Sequence, residues 1–538
     1  YGSLACHAIG FTVSGNVGQG GIEGYYSDEL NGVNGREYGY LTDDMSMERT
    51  TKEPVNGYNV VSTIDANAQT IVEDVINGFM TETGARNVSC LVMDPNSGEI
   101  LAMANSNSYD LNKPYEDSVI LDMFNEKNIN YLLSDSTIKA YFTAPEGETL
   151  SEEKQSLKAL LESPDISAED KLNSIPDDFR LLCLNRQWRN FILSDGFEPG
   201  STYKTFTISG AVEESVLKGD ETFYCEGVKQ VEDYPIHCHN HQGHGTVTIE
   251  QALMQSCNVA LMDIAEAEGR SVFSKYQQTF GFGKKTGIDL SGEASGLVYE
   301  ENGLNPVELA TSSFGQGLTV TMIQNGAAFC SVINGGKYYE PHMVKQIVDE
   351  NGGVIKNIEP VVLRKTISEE TSQFMRETLF KVVDSGTGQK VKVEGYTIGG
   401  KTGTAEKLPR NNGKYLLSFI GFAPVDNPQV VVYVTVDEPD VEDQSATGYG
   451  TILAHSIFEK LLPYMNVNQT GDSSSQGDAS IGDETITPVF DGQAPQEQLS
   501  SQEGEDTQAS TQAASEVSTQ TTEAVTEATT EPATPATQ

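Results

Sequence analysis

Glu198-Pro-Gly-Ser-Thr-Tyr-Lys204 decides how this chain is read. Pro199 and Gly200 break whatever precedes them. The run from Thr202 to about Val212 then reads as a helix, with Gly210 as its one weak position. Ser201 falls near the first turn, and Lys204, three residues on, shares its face. A serine hydroxyl is a poor nucleophile until a base takes its proton. A lysine one turn away can be that base if its surroundings keep it neutral part of the time. The tetrad alone decides nothing, because Ser136–Lys139, Ser151–Lys154 and Ser215–Lys218 share it. Ser151 has a simpler job open to it, capping its own helix.

Two downstream elements raise Ser201 above those decoys. Ser256-Cys257-Asn258 follows the helical run Ile249–Gln255. Lys401-Thr402-Gly403-Thr404 follows Gly399-Gly400 and leads toward the strand-like Leu416–Phe422. Ser14-Gly15-Asn16 and Lys285-Thr286-Gly287 repeat these patterns in poorer contexts. The ordered set suits acyl transfer. Ser201 would attack a carbonyl and Lys204 would take its proton. Ser256 would pass a proton to the departing amine, and Asn258 would orient Lys204 and the substrate amide. Lys401 adds positive field, while Thr402 and Thr404 offer hydroxyls to a substrate carboxylate. A strand running through Gly403 would let a peptide lie alongside it as an extra strand.

Bulk properties narrow the class. The 538 residues carry 78 acidic and 34 basic side chains, a formal net charge of -44. Nucleic acid binding requires phosphate neutralisation and is disfavoured. No stretch approaches the ~18 apolar residues of a membrane span, and no signal peptide opens the chain. An anchor, if there is one, is expected upstream of Tyr1. Seven cysteines do not fix a redox compartment.

Along the chain, residues 1 to about 60 are rich in Gly, Tyr and Asn and read as turns that pack on the domain after them. Asn59–Asp65 reads as a strand whose Asp65 caps a helix over Ala66–Phe79. Val88–Met93 and Glu99–Ala104 read as a hairpin. Residues 108–187 look inserted, acidic and helical. Ile367–Val383 and Thr451–Leu462 read as helices, and Val430–Val436 as a buried strand. From Asn466 on, Lys and Arg are absent and thirteen Asp and Glu lie among Ser, Thr, Gln and Ala. Such a segment cannot offset its ordering entropy and is expected to be a disordered acidic tail.

The chain resembles the class B penicillin-binding proteins, the monofunctional D,D-transpeptidases of bacterial cell-wall synthesis. The residues that carry the likeness are Glu198–Lys204, Gly243-His-Gly245, Ser256-Cys-Asn258, Ser313-Phe-Gly-Gln-Gly317, Gly386-Thr-Gly388, Gly400–Ala405 and Ser418–Pro424, with Thr63-Ile-Asp65 and Asp94–Ala102 before them. The likeness spans about residues 10–462 and leans toward the Gram-positive division or sporulation branch. It implies an α+β fold like that of serine β-lactamases, with a five-stranded antiparallel sheet packed by helices and an all-helical subdomain. It divides the chain into the end of an N-terminal pedestal domain of the dimerisation type (1–60), a transpeptidase domain (61–465) and the tail (466–538). It implies an oxyanion hole from the backbone N–H groups of Ser201 and Thr404. The implied donor is a stem peptide ending in D-Ala-D-Ala, and the acceptor is an amine of a neighbouring stem peptide. β-Lactams would acylate Ser201. The implied setting is a single N-terminal membrane anchor, an extracellular catalytic domain and a membrane glycosyltransferase partner, with no cofactor. Rival readings are a D,D-carboxypeptidase or β-lactamase, in which water replaces the amine, and a β-lactam sensor.

Two segments depart from that pattern. One is the long insertion. The other, Cys225–His244, holds Cys225, Cys238, His237, His239, His241 and His244. Three readings compete for it. A surface loop closed by a Cys225–Cys238 disulfide is the preferred one. A zinc site from Cys225, Cys238, His241 and His244 has suitable ligand types but no standard spacing. Unpaired thiols with solvated histidines are the third. Cys257 is expected to point into the packed interior.

Overall fold

The computed structural model describes residues 2–41, 47–446 and 448–467. The tail expectation, from residue 468 on, lies outside the described residues. A five-stranded antiparallel sheet is the centre of the fold. Its order is Gly399–Glu406, Tyr415–Ala423, Val430–Asp437, Asn87–Met93, Ile100–Asn105. Val430–Asp437 and Asn87–Met93 are buried at every position, which is why their sequences run apolar instead of alternating. The Asn87–Met93/Ile100–Asn105 hairpin matches the sequence expectation.

Helices cover both faces of the sheet. Ala66–Thr83 and the terminal helix Tyr449–Tyr464 bury Val72, Ile76, Ile457 and Phe458 against one face. Asp65 caps the first of these through its carboxylate, which accepts from the backbone of Asn67 (2.9 Å) and Ala68 (3.0 Å). Met322–Ile333, buried along its whole length, packs on the other face. It joins the sheet to a helical subdomain built from Lys204–Glu213, Ile249–Met254 and Asn258–Thr279. Thr248 and Thr321 start their helices with reciprocal capping boxes, each satisfying two backbone donors that the helix leaves open.

The insertion is helical, as expected, and carries its own core of Ile120, Phe124, Ile138, Leu161, Phe179 and Cys183. Ser151 caps Glu152–Glu162 by accepting from the Lys154 backbone, which accounts for that decoy. Lys127 fastens the insertion to the sheet region through the Gly84 carbonyl (2.8 Å) and Asp440 (2.9 Å).

Residues 2–30 pack on the sheet-and-helix domain. The Ala5 N–H donates to Glu73 (2.7 Å), and the buried Tyr26 hydroxyl donates to Asp289 (2.8 Å). The N-terminal sixty residues hold more regular structure than turns alone: short helices at Cys6–Ile9, Gly21–Tyr25 and Ser27–Leu30, and an antiparallel hairpin of Arg36–Leu41 with Met47–Lys52. The boundary drawn at residue 60 cuts the strand Asn59–Ser62, which pairs with Val344–Val348.

Candidate active site

Ser201 lies on the single 3-10 turn Gly200–Thr202, and the α-helix proper starts at Lys204. Gly200 makes this placement possible. Its φ is 54°, a Cβ there would stand 2.7 Å from the Thr404 carbonyl oxygen, and its N–H donates to Gly315 at 3.0 Å. Gly315 belongs to Ser313-Phe-Gly-Gln-Gly317, and a Cβ on it would lie 2.2 Å from the Gly200 oxygen. The serine turn is therefore clamped between that loop and the edge strand Gly399–Glu406. Glu198 adds a charged brace. Its carboxylate accepts from Arg410 at 2.8 and 2.6 Å and from the Gly317 N–H at 2.9 Å.

Lys204 is fully buried. Its ammonium donates to the Ser256 carbonyl (2.5 Å), the Asn258 Oδ1 (2.7 Å) and the Ser256 Oγ (3.1 Å). Burial pushes it down to about 8, while nearby thiols pull the other way. Lys401, also fully buried, donates to the same Ser256 Oγ (3.1 Å) and to the oxygen (3.0 Å) and Oγ1 (3.1 Å) of Thr402. Burial first, and the Lys204 charge second, hold Lys401 well below the ordinary lysine range. Sharing one oxygen puts the two ammonium groups at most about 6 Å apart. At an effective dielectric of 20 they repel by about 3 kcal/mol. The pair therefore holds one proton far more readily than two, and a neutral amine is available near pH 7 to 8.

Ser256 makes this junction in a left-handed backbone conformation, φ 56°, which a residue with a Cβ adopts at a cost of roughly 1 kcal/mol. That turn lets Ser256 face both lysines while Asn258 begins the long helix Asn258–Thr279. On the edge strand, Lys401 and Gly403 alternate with Thr402 and Thr404. Thr404 is exposed, and Thr402 Oγ1 lies 3.1 Å from Thr387 Oγ1. Gly403 has no room for a side chain, since a Cβ would meet Ser418 Oγ at 2.2 Å. The strand pairs on one side only, with Tyr415–Ala423, and its other side can receive an extended peptide. The Ser201 hydroxyl makes no hydrogen bond among the described residues, so it is open to an incoming group.

The decoys sit elsewhere. Thr286 donates to Glu293 (2.6 Å) in a buried turn, and Ser14-Gly15-Asn16 turns between two short strands. Nothing in the sequence singled out Arg410, and Thr387 stood out only inside Gly386-Thr-Gly388.

The preferred disulfide reading needs correction, and the unpaired thiols of the third reading are what the structure holds. All seven cysteines are free thiols, so Cys225 and Cys238 form no disulfide. Their sulfurs lie in a cluster with Cys257 Sγ and a His244 ring nitrogen, all within 4.8 Å of one another. His241, named in the zinc alternative, instead packs its ring on His237. Cys257 is fully buried in the main core, as expected, and its Sγ joins this cluster there.

Residues 88–462 match the model of the penicillin-binding protein transpeptidase domain. The chain is 32% identical over 480 residues to the stage V sporulation protein D of Bacillus subtilis, covering 87% of this chain and 64% of that protein. It is 26% identical to the probable peptidoglycan D,D-transpeptidase PenA of Neisseria meningitidis, covering 86% of this chain and 66% of that one. The chain thus spans somewhat less than two thirds of the length of these relatives. Among solved structures, penicillin-binding protein 3 of Mycobacterium tuberculosis complexed with ampicillin superposes with a TM-score of 0.66 at 25% identity, covering 88% of this chain and 90% of that one. A peptidoglycan synthetase of Bifidobacterium adolescentis superposes at 0.68 and shares the fold at 22% identity, covering 88% and 75%. With a serine turn, a two-lysine junction and an open edge strand on the matching α+β sheet, the chain belongs to the penicillin-binding protein transpeptidase domain family.

Proposed function

We propose that this chain is a serine D,D-transpeptidase that cross-links peptidoglycan stem peptides. The observation that carries the reading is the meeting of Lys204, Lys401 and Asn258 around Ser256, with Lys204 and Lys401 each 3.1 Å from its Oγ. Neutral Lys204 takes the Ser201 proton as Oγ attacks the carbonyl of the penultimate D-Ala. The backbone N–H groups of Ser201 and Thr404 receive the developing oxyanion. As the tetrahedral adduct collapses, the C–N bond to the last D-Ala breaks, and Ser256 relays the proton to that leaving amine. An acceptor amine then attacks the Ser201 ester, its proton returns along the same path and the Ser201 hydroxyl is restored. Thr402 and Thr404 hold the donor carboxylate, with Lys401 supplying the field.

β-Lactams enter as mimics of the donor and stop at the acyl-enzyme. The extracellular face of a bacterial membrane and a glycosyltransferase partner fit this substrate. No helix among the described residues is long and apolar enough to cross a membrane. The test is a synthetic D-Ala-D-Ala donor with a stem-peptide amine. A cross-linked product that depends on the amine supports the reading. Exclusive hydrolysis of the donor, or rapid turnover of penicillin, would replace it with a carboxypeptidase or β-lactamase.

A further inference from the structure

We propose that Cys225, Cys238, His244 and Cys257 form a structural zinc site that anchors the Ser256–Asn258 segment to the strand-rich segment 222–248. The four ligand atoms lie within 4.8 Å of one another. Tetrahedral zinc, with Zn–S of about 2.3 Å and Zn–N of about 2.0 Å, sets S···S at about 3.8 Å and S···N at about 3.5 Å. Cys238 Sγ already stands 3.6 Å from His244 Nδ1. The set is Cys3His, a standard composition for a closed structural site. The three sulfurs are almost wholly shielded from solvent, as such a site requires.

The surroundings are also those of thiolate ligands. The Asn258 N–H donates to Cys238 Sγ and the Ala260 N–H to Cys257 Sγ, both at 3.4 Å. Backbone donors of this kind orient a ligand and favour its charged form. The chain delivers the ligands from three separate places. Cys225 ends the strand Thr222–Cys225, which pairs with Gly245–Thr248. Cys238 directly follows the strand Tyr234–His237, and its N–H donates to Gly227 at 2.8 Å. Cys257 lies between the two residues that hold Lys204. Gly243 and Gly245, at φ 80° and 67°, turn the chain so that His244 and not His241 reaches the sulfurs. A zinc ion here ties the second motif of the acyl-transfer site to a segment that also holds it through Asn258 Nδ2 to the His237 carbonyl (3.3 Å) and the His239 ring to the Gln255 carbonyl (2.9 Å). Binding exchanges three thiol protons for one divalent cation, so affinity falls as pH falls.

The test begins with metal analysis of the full chain purified under reducing conditions without added metal. About one zinc per chain is expected. Replacement by cobalt(II) should give the visible bands of a tetrahedral site and strong sulfur-to-metal charge transfer. His244→Ala should release the metal to a chelator at least about tenfold faster than the parent, while His241→Ala should match the parent. Substoichiometric zinc with a disulfide or free thiols would overturn the site. So would metal loss in His241→Ala with retention in His244→Ala. These readouts stand apart from the acyl-transfer reading. The anchoring role rests on that reading and has its own measurement. Chelation should slow penicillin acylation at least about tenfold with the circular dichroism unchanged, and added zinc should restore the rate. An unchanged rate in metal-free protein would overturn the anchoring role.

Discussion

Replacing Glu198 with Gln tests the brace behind the serine turn. The parent carboxylate makes two short bonds to Arg410 and one to the Gly317 N–H, with 12% of the Glu198 side chain and 15% of the Arg410 side chain exposed. Gln keeps the size and one acceptor for Gly317 but loses the charge. A charge-assisted pair in which one Arg410 nitrogen serves both carboxylate oxygens is strong at this depth, and removing one partner strands the guanidinium. Discounted for the remaining solvent contact, the loss is about 2 kcal/mol, or a Tm lower by about 3 °C. Arg410→Ala should cost a similar amount, and the double variant little more than either alone, for a coupling of about 1.5 kcal/mol in the cycle. Because the brace holds the loop that presents Ser201, acylation by a fluorescent penicillin should also fall by about tenfold, at the low end of what misplacing a nucleophile costs. Chemical denaturation gives the cycle, and stopped-time gel fluorescence gives the rate. Additive losses, with acylation unchanged in all three variants, would refute the brace.

Acylation should rise with pH through about 8, because the neutral form of Lys204 is the base and burial lowers its proton affinity to that value; a flat profile from pH 6 to 9 in a rate measurement would contradict this. Ser256→Gly removes both the left-handed strain and the shared hydroxyl. It should therefore hold or raise the melting temperature by a degree or so while cutting acylation by about 10²–10⁴-fold, and loss of both together would count against a catalytic role. Phe179→Ala, which empties the middle of the insertion core, should cost about 3–4 kcal/mol locally. Hydrogen exchange should quicken across residues 118–187, with penicillin labelling kept.

What the sequence made legible was local. Pro199-Gly200, the Asp65 cap and the apolar run Val430–Val436 act within a few residues of themselves, so each reading survives into the fold. The two lysines were legible as residues but not as partners, because only the register Lys401 opposite Ile420 and the turn at Ser256 bring them to one oxygen. Arg410 gave no signal, standing 212 residues from Glu198. The cysteine segment misled for a related reason. The segment offered Cys225, Cys238, His241 and His244 by ligand type, and three of these cluster, whereas the third sulfur comes from Cys257, outside the segment. The hairpin Arg36–Leu41/Met47–Lys52 was hidden by glycine-rich composition around it.

All of the proposed chemistry requires Ser201, activated through buried Lys204, to be the residue acylated. Peptide mass spectrometry after brief exposure to benzylpenicillin is the decisive test. One adduct is expected on the peptide bearing Ser201, absent in a folded Lys204→Met variant. An adduct on Ser136, Ser151 or Ser215, or full labelling of Ser201 without the lysine, would contradict it.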